Sequence, residues 1–93
     1  MSFLLTWIAY LRSRGMTLTE SRGLPVVMPA SRVTPGDLSV LRTHKEALLA
    51  LLELWEERAA IMQYDGRLPR AEAERLAWEA LGVAPPAQKE AAA

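Results

Sequence analysis

The run Ala47-Leu48-Leu49-Ala50-Leu51-Leu52 is apolar without interruption. It lies inside a longer pattern in which Leu38, Leu41, Lys45, Leu48, Leu52, Trp55, Ala59 and Met62 recur at alternating spacings of three and four. A helical turn and a half that is apolar all the way round must be covered on every side. The rest of the chain therefore has to be built around it, with a second subunit available for any face left over. Only Lys45 interrupts the long stripe. The helix start is well marked: Thr34 is placed as N-cap, Pro35 at the first helical position, and Asp37 suits both a capping box and the positive end of the helix dipole. A break near Thr43-His44 divides the pattern into a short helix and a long one.

The 93 residues suffice for one core and no more. A domain this small is stable by several kcal/mol at most, so self-association would help it considerably. With 51% hydrophobic residues the chain is too apolar to be disordered. Its apolar runs are still too short to span a bilayer, and the expectation is a soluble, cytoplasmic domain with no membrane partner. No cysteine is present, which excludes disulfides, thiolate metal sites and a cysteine nucleophile.

Three further elements surround the long helix. Residues 3–14 read as an amphipathic helix that Ser2 can cap, with Leu4, Ile8 and Leu11 in one stripe, Phe3, Trp7 and Tyr10 beside it as core aromatics, and Gly15 as its stop. Arg12 and Arg14 follow the apolar stretch, the reverse of a secretory signal. After Gly15 the period becomes alternating. Met16 and Leu18, the turn Ser21-Arg22-Gly23, and Leu24-Pro25-Val26-Val27-Met28-Pro29 predict a β-hairpin whose second strand, lacking amide hydrogens at its prolines, is an edge strand or a short one. A last helix follows Asp65-Gly66-Arg67-Leu68, begins at Pro69, buries Ala73, Leu76, Ala77, Ala80 and Leu81, and closes at Gly82. The fold class is α+β and mostly helical: a helix, a β-hairpin, then two to three helices. A single domain over 1–82 and a disordered tail over 83–93 complete the expected organisation.

The residues of catalysis are missing. His44 is the sole histidine, which rules out a histidine metal cluster within one chain, and no serine–histidine triad is assigned around it. Glu53, Glu56 and Glu57 lie near Arg58 on the polar side of the long helix, the pattern of a solvated face with local ion pairs. The five glycines are scattered and form no phosphate-cradling loop. No catalytic, cofactor-binding or metal-binding residue is assigned, and the reading is of a non-enzymatic protein.

The charges are equal in total, eleven basic and eleven acidic, but segregated. From Met1 to Glu46 Arg12, Arg14, Arg22, Arg32, Arg42 and Lys45 stand against three acids, whereas from Ala47 onward five basic residues stand against eight acidic. A basic hairpin half suits an acidic peptide, and opposed halves suit head-to-tail pairing of subunits.

Residues 1 to about 55 resemble the TubC-type N-terminal docking domain of bacterial nonribosomal peptide and polyketide synthetases. The resemblance rests on a leading helix ending in Arg-Ser-Arg-Gly, the strand Met-Thr-Leu-Thr, a second strand ending in Met-Pro-Ala, and the segment Val33 to Leu52 with Thr34-Pro35, Leu38, Leu41, Lys45 and Leu48-Leu49 in the family's positions. It implies an αββαα-like docking fold, a homodimer, and a hairpin that captures a short C-terminal linear motif of another protein by adding it as a strand. On that basis 1–55 is the docking-like core and 56–82 a C-terminal helical extension. Residues 57–81 are similar to a segment of phage and plasmid replication proteins, and the two likenesses together suggest a freestanding bacterial docking-like protein on a mobile element.

The residues and the resemblance together point to a protein–protein docking module that binds an extended acidic or apolar peptide. Leu24, Val26 and Met28 supply strand-edge and pocket contacts, and Arg22, Arg32 and Lys45 meet the peptide's acids. The rival reading is a small phage or plasmid accessory protein whose last two helices contact DNA or a replication protein, with Arg67, Arg70 and Arg75 toward phosphates in the DNA case. Its electrostatics are poor, because Glu72, Glu74 and Glu79 share that helix, and nucleic acid is not the expected partner.

Overall fold

The computed structural model describes residues 2–85. Its architecture is α+β, in the order α1 (Ser2–Ser13), β1 (Thr17–Ser21), β2 (Leu24–Met28), a 3-10 turn (Ala30–Arg32), α2 (Pro35–Thr43), α3 (Lys45–Tyr64) and α4 (Arg70–Ala80). No helix among the described residues is long and apolar enough to cross a membrane. The predicted tail from residue 86 onward lies outside the described residues.

Helix α1 ends as its sequence dictates. Gly15 takes φ +78°, the Gly15 N–H donates to the Arg12 carbonyl, and the Met16 N–H donates to the Leu11 carbonyl at 2.8 Å. This is a Schellman closure, in which a residue free of Cβ strain reverses the chain and the hydrophobic residue after it folds back on the last turn. Met16 and Leu11 are accordingly both buried. Helix α4 ends the same way, with Gly82 at φ +106° and the Val83 N–H on the Trp78 carbonyl at 2.9 Å. Val83 is 1% exposed, so packing continues one residue past the predicted boundary at 82. A tail expected to begin at 83 instead begins with a core residue, because the closure brings Val83 back onto Trp78.

The hairpin has antiparallel register Thr17–Met28, Leu18–Val27, Thr19–Val26, Glu20–Pro25 and Ser21–Leu24. Arg22 and Gly23 form its loop with φ of +54° and +77°, the conformation of the tight turns that match strand twist. The Glu20 carboxylate accepts from the Gly23 N–H at 2.6 Å and braces that loop. In a hairpin closed by two residues the pairs alternate between hydrogen-bonded and non-bonded, starting bonded at Ser21–Leu24. Pro25 therefore occupies a site whose N–H would have pointed away from β1, and its missing donor costs the ladder nothing.

The break at His44 divides α2 from α3 where the sequence placed it. The Thr34 hydroxyl accepts from the Asp37 N–H and the Asp37 carboxylate accepts from the Thr34 N–H, each at 3.1 Å, completing the capping box. The main core joins Leu4, Trp7, Ile8 and Leu11 of α1 to Met16, Leu18 and Val27 around the hairpin, and to Leu48, Leu51 and Leu52 of α3. A second cluster, Ala59 against Ala73 and Ala77, lets α3 and α4 approach closely. Trp78 stacks on Trp55 with ring centroids 5.2 Å apart, at the end of α4 that meets the main core.

Several predicted faces are rotated. Phe3 and Tyr10 are exposed while Trp7 alone of the three aromatics is buried, because the interior stripe of α1 runs through Leu4, Trp7, Ile8 and Leu11. Leu38 is exposed, since α2 turns Asp37 inward to the Trp7 indole instead. On α4 Trp78 takes the interior place predicted for Leu76 and Ala80. The apolar turn 47–52 is covered on one side only: Leu48, Leu51 and Leu52 are buried, Ala47 and Leu49 half-buried, and Ala50 exposed.

Candidate peptide-docking surface

Residues directly opposite one another in an antiparallel pair share a face, so the register assigns the hairpin's two sides. Leu18 and Val27 point to the core and are buried. The outer side carries Thr17, Thr19 and Ser21 on β1 beside Met28, Val26 and Leu24 on β2. Leu24 is 50% and Met28 53% exposed, with half-buried Val26 between them. A polar row thus lies against a parallel apolar row, and the three side chains of the apolar row repeat every second residue, the spacing an extended peptide would match.

The three cations assigned to this surface are in different situations. Arg22 stands exposed at the loop apex. Arg32 folds back across the start of the hairpin, its Nη1 donating to the Arg14 carbonyl at 2.9 Å, and the same nitrogen lies 2.7 Å from where a Cβ on Gly15 would sit. It is thus a strut between the 3-10 turn and the α1–β1 connection. Lys45 is half-buried at the first position of α3. The structure places Arg22 at one end of the apolar row and Arg32 beyond the other, so only Arg22 combines exposure with a place beside that row.

On the C-terminal side two of the three arginines assigned to the rival reading, Arg70 and Arg75, are occupied by carboxylates. Arg70 donates to Glu56 at 2.6 Å, to Glu74 at 2.7 Å and to Gln63 at 3.3 Å, and its guanidinium lies over the Trp55 ring at 5.9 Å. The hydrogen bonds to Glu74 and then Glu56 raise its pKa above the ordinary arginine value. Arg75 is held between Glu72 and Glu79 of its own helix, and its pKa is likewise raised, chiefly by Glu72. Arg67 is exposed at φ +58° in the α3–α4 turn. Glu56, expected to pair locally with Arg58, instead reaches across to α4.

Beside the hairpin lies an open groove of about 840 Å³, bounded by Thr19, Glu20 and Gly23, by the Glu46–Glu56 stretch of α3, and by Arg70 and Glu74 of α4. Thr19 belongs both to this lining and, as partner of Val26, to the outer hairpin side, so the two surfaces are contiguous. The groove was not legible as a site in the sequence. Its only signal is that Glu46, Leu49, Ala50 and Glu53 share a helix face through the i, i+3, i+4, i+7 relation, adjacent to the core stripe. Among the described residues no group of three or more histidine, aspartate and glutamate side chains is arranged to hold a metal ion.

Comparison with known proteins finds no match to the chain, whether among protein-family models, curated proteins or solved structures.

Proposed function

We propose that this protein is a non-enzymatic docking module that takes an extended peptide of a partner protein along β2. The observation that carries the reading is the row Leu24, Val26 and Met28 on the outer side of the hairpin, two of its members half-exposed. Apolar side chains at every second position of a short two-stranded sheet are costly to leave in water and match the alternate residues of an added strand. The helix–hairpin–helix–helix order agrees with the order implied by the docking-domain resemblance, and that agreement supports the same reading.

The surface also defines what the peptide must be. At the outer rim of β2 Val27 offers both an N–H and a carbonyl, but Pro25 offers a carbonyl only, by the alternation of the ladder. Main-chain pairing is therefore weaker than on an unbroken strand, and the side-chain row must supply more of the affinity. The peptide is accordingly apolar at alternate positions, with an acidic residue near the loop apex where Arg22 is free to meet it. Charge on Arg32 contributes less, since that side chain is held by the Arg14 carbonyl.

Titration of the labelled protein with a peptide of alternating valine and threonine ending in aspartate, followed by amide chemical shifts, tests this. Perturbations confined to residues 21–28 that disappear in Leu24→Asp/Met28→Asp are expected. Shifts absent from the hairpin, or unchanged in that variant at full thermal stability, would overturn the assignment.

A further inference from the structure

The groove beside the hairpin has a charge opposite to the one expected for the peptide surface. Its lining includes Glu20, Glu46, Glu53, Glu56 and Glu74 against the single cation Arg70. Arg70 is already shared between Glu56 and Glu74. Among the described residues Glu46 and Glu53 form no ion pair, and the Glu20 carboxylate accepts only from the Gly23 amide. Between these carboxylates the groove is partly apolar, with Leu49 half-buried and Ala50 exposed on α3 and the half-buried Trp55, stacked on Trp78, beyond them.

We propose that this groove docks a cationic amphipathic segment of a partner protein, its apolar side chains on Leu49, Ala50 and Trp55 and its lysines or arginines on Glu20, Glu46 and Glu53. The geometry of α3 favours that occupant. Glu46 and Glu53 are two helical turns apart on one face with Leu49 and Ala50 between them, an acid–apolar–apolar–acid order that is the complement of a basic amphipathic helix of the same period. An acidic peptide or a nucleic acid would meet five carboxylates of its own sign against the one guanidinium of Arg70, which Glu56 and Glu74 already hold. A concave wall with a partly apolar floor also lowers the local dielectric, so a cation placed there gains more than one on an open helix face. The inference does not rest on the hairpin reading, because it uses a different set of side chains.

The test uses a fluorescein-labelled peptide that repeats Lys-Leu-Leu-Lys and a matched peptide with glutamate in place of lysine, with fluorescence anisotropy as the readout. The lysine peptide is expected to bind the full chain and the glutamate peptide not to bind. Glu46→Gln/Glu53→Gln should weaken the lysine peptide by about tenfold, as expected for removing two partly desolvated charge pairs. Ala50→Arg should block it further, since it places a cation and bulk on the floor. Leu24→Asp/Met28→Asp on the hairpin should leave this affinity within about twofold, which separates failure of the groove from failure of the hairpin site. Equal binding by the Glu46→Gln/Glu53→Gln protein, binding of both peptides alike, or sedimentation showing a second copy already seated in the groove would each overturn the proposal.

Discussion

The Trp7 indole N–H donates to the Asp37 carboxylate at 3.2 Å, joining α1 to the first turn of α2 across a sequence separation of 30 residues. Asp37 is 4% exposed; its carboxylate accepts from two donors, the Trp7 indole and the Thr34 amide, and its own N–H donates to the Thr34 hydroxyl in return. A residue placed by the sequence in the capping box thus also holds the N-terminal helix against the centre of the fold.

Removing that carboxylate strands both partners at once. Asp37→Ala should destabilise by roughly 2–4 kcal/mol, the sum of the capping-box bond to the Thr34 N–H and a buried indole N–H left unpaired, while the Thr34 hydroxyl keeps its bond to the backbone N–H of residue 37. Trp7→Phe, which removes the indole donor but leaves the cap, should cost less than Asp37→Ala does through the hydrogen bond, with a further packing loss of about 1 kcal/mol. Urea unfolding of both variants and of the double variant measures the coupling between them.

The same carboxylate makes stability depend on pH in the acid range. Burial alone would raise the Asp37 pKa, but the Thr34 amide, the Trp7 indole and the Thr34 hydroxyl outweigh it and hold the pKa below the ordinary aspartate value. The folded state therefore binds its proton less readily than the unfolded state. The contribution is fully present above the unfolded pKa of about 3.9 and is lost as pH falls through the lower folded value. Urea midpoints measured from neutral pH downward should show a loss in the parent protein that is smaller in Asp37→Asn.

Gly15 and Arg32 offer a test of close approach. Gly15→Ala should cost roughly 1–2 kcal/mol, because φ +78° strains any residue with a Cβ and the new methyl would meet the Arg32 guanidinium. Gly23→Ala, with no atom within 4 Å, carries only the backbone part. In the Arg32→Ala background Gly15→Ala should cost less than in the parent, and a thermal-melt double-mutant cycle reads the difference.

The C-terminal closure predicts where the fold ends. Val83→Ala should destabilise by about 2 kcal/mol, since Val83 is 1% exposed against Trp78 and a cavity would remain. A chain ended after Gly82 should lose at least as much, as measured by thermal denaturation followed by circular dichroism.

The interface of α3 with α4 is built on alanines and is sensitive to size. Ala77→Leu should cost roughly 1–3 kcal/mol by overpacking, because Ala59, Ala73 and Ala77 are all fully buried where the helices touch. A surface control such as Ala71→Leu should change the melting temperature little.

Local chemistry was legible wherever one residue type suffices for the geometry. Gly15, Thr34-Pro35-Gly36-Asp37 and Gly82 each announce a helix boundary, and the alternation from Met16 to Met28 announces the hairpin; all are local backbone preferences that no distant contact needs to supply. The outward row Leu24, Val26 and Met28 was equally legible, because a period of two fixes which residues share a side. The interior was less so. Phe3, Tyr10 and Leu38 looked like core by spacing, yet a helix with a broad apolar surface can be rotated to bury one stripe or its neighbour, and hydrophobic periodicity does not choose between them.

The sequence by itself determined the order of elements, their caps and the side chains that alternate along the hairpin, since these follow from torsional preference and short-range hydrogen bonding. Tertiary structure alone decided that Asp37 meets Trp7, that Arg32 becomes a strut, that Arg70 is shared by Glu56 and Glu74, and that an acidic groove opens beside Thr19. Each of these depends on the angle at which two elements far apart in the chain pack together. That angle is set by the volumes of the side chains between them, a collective property that no local run of residues carries.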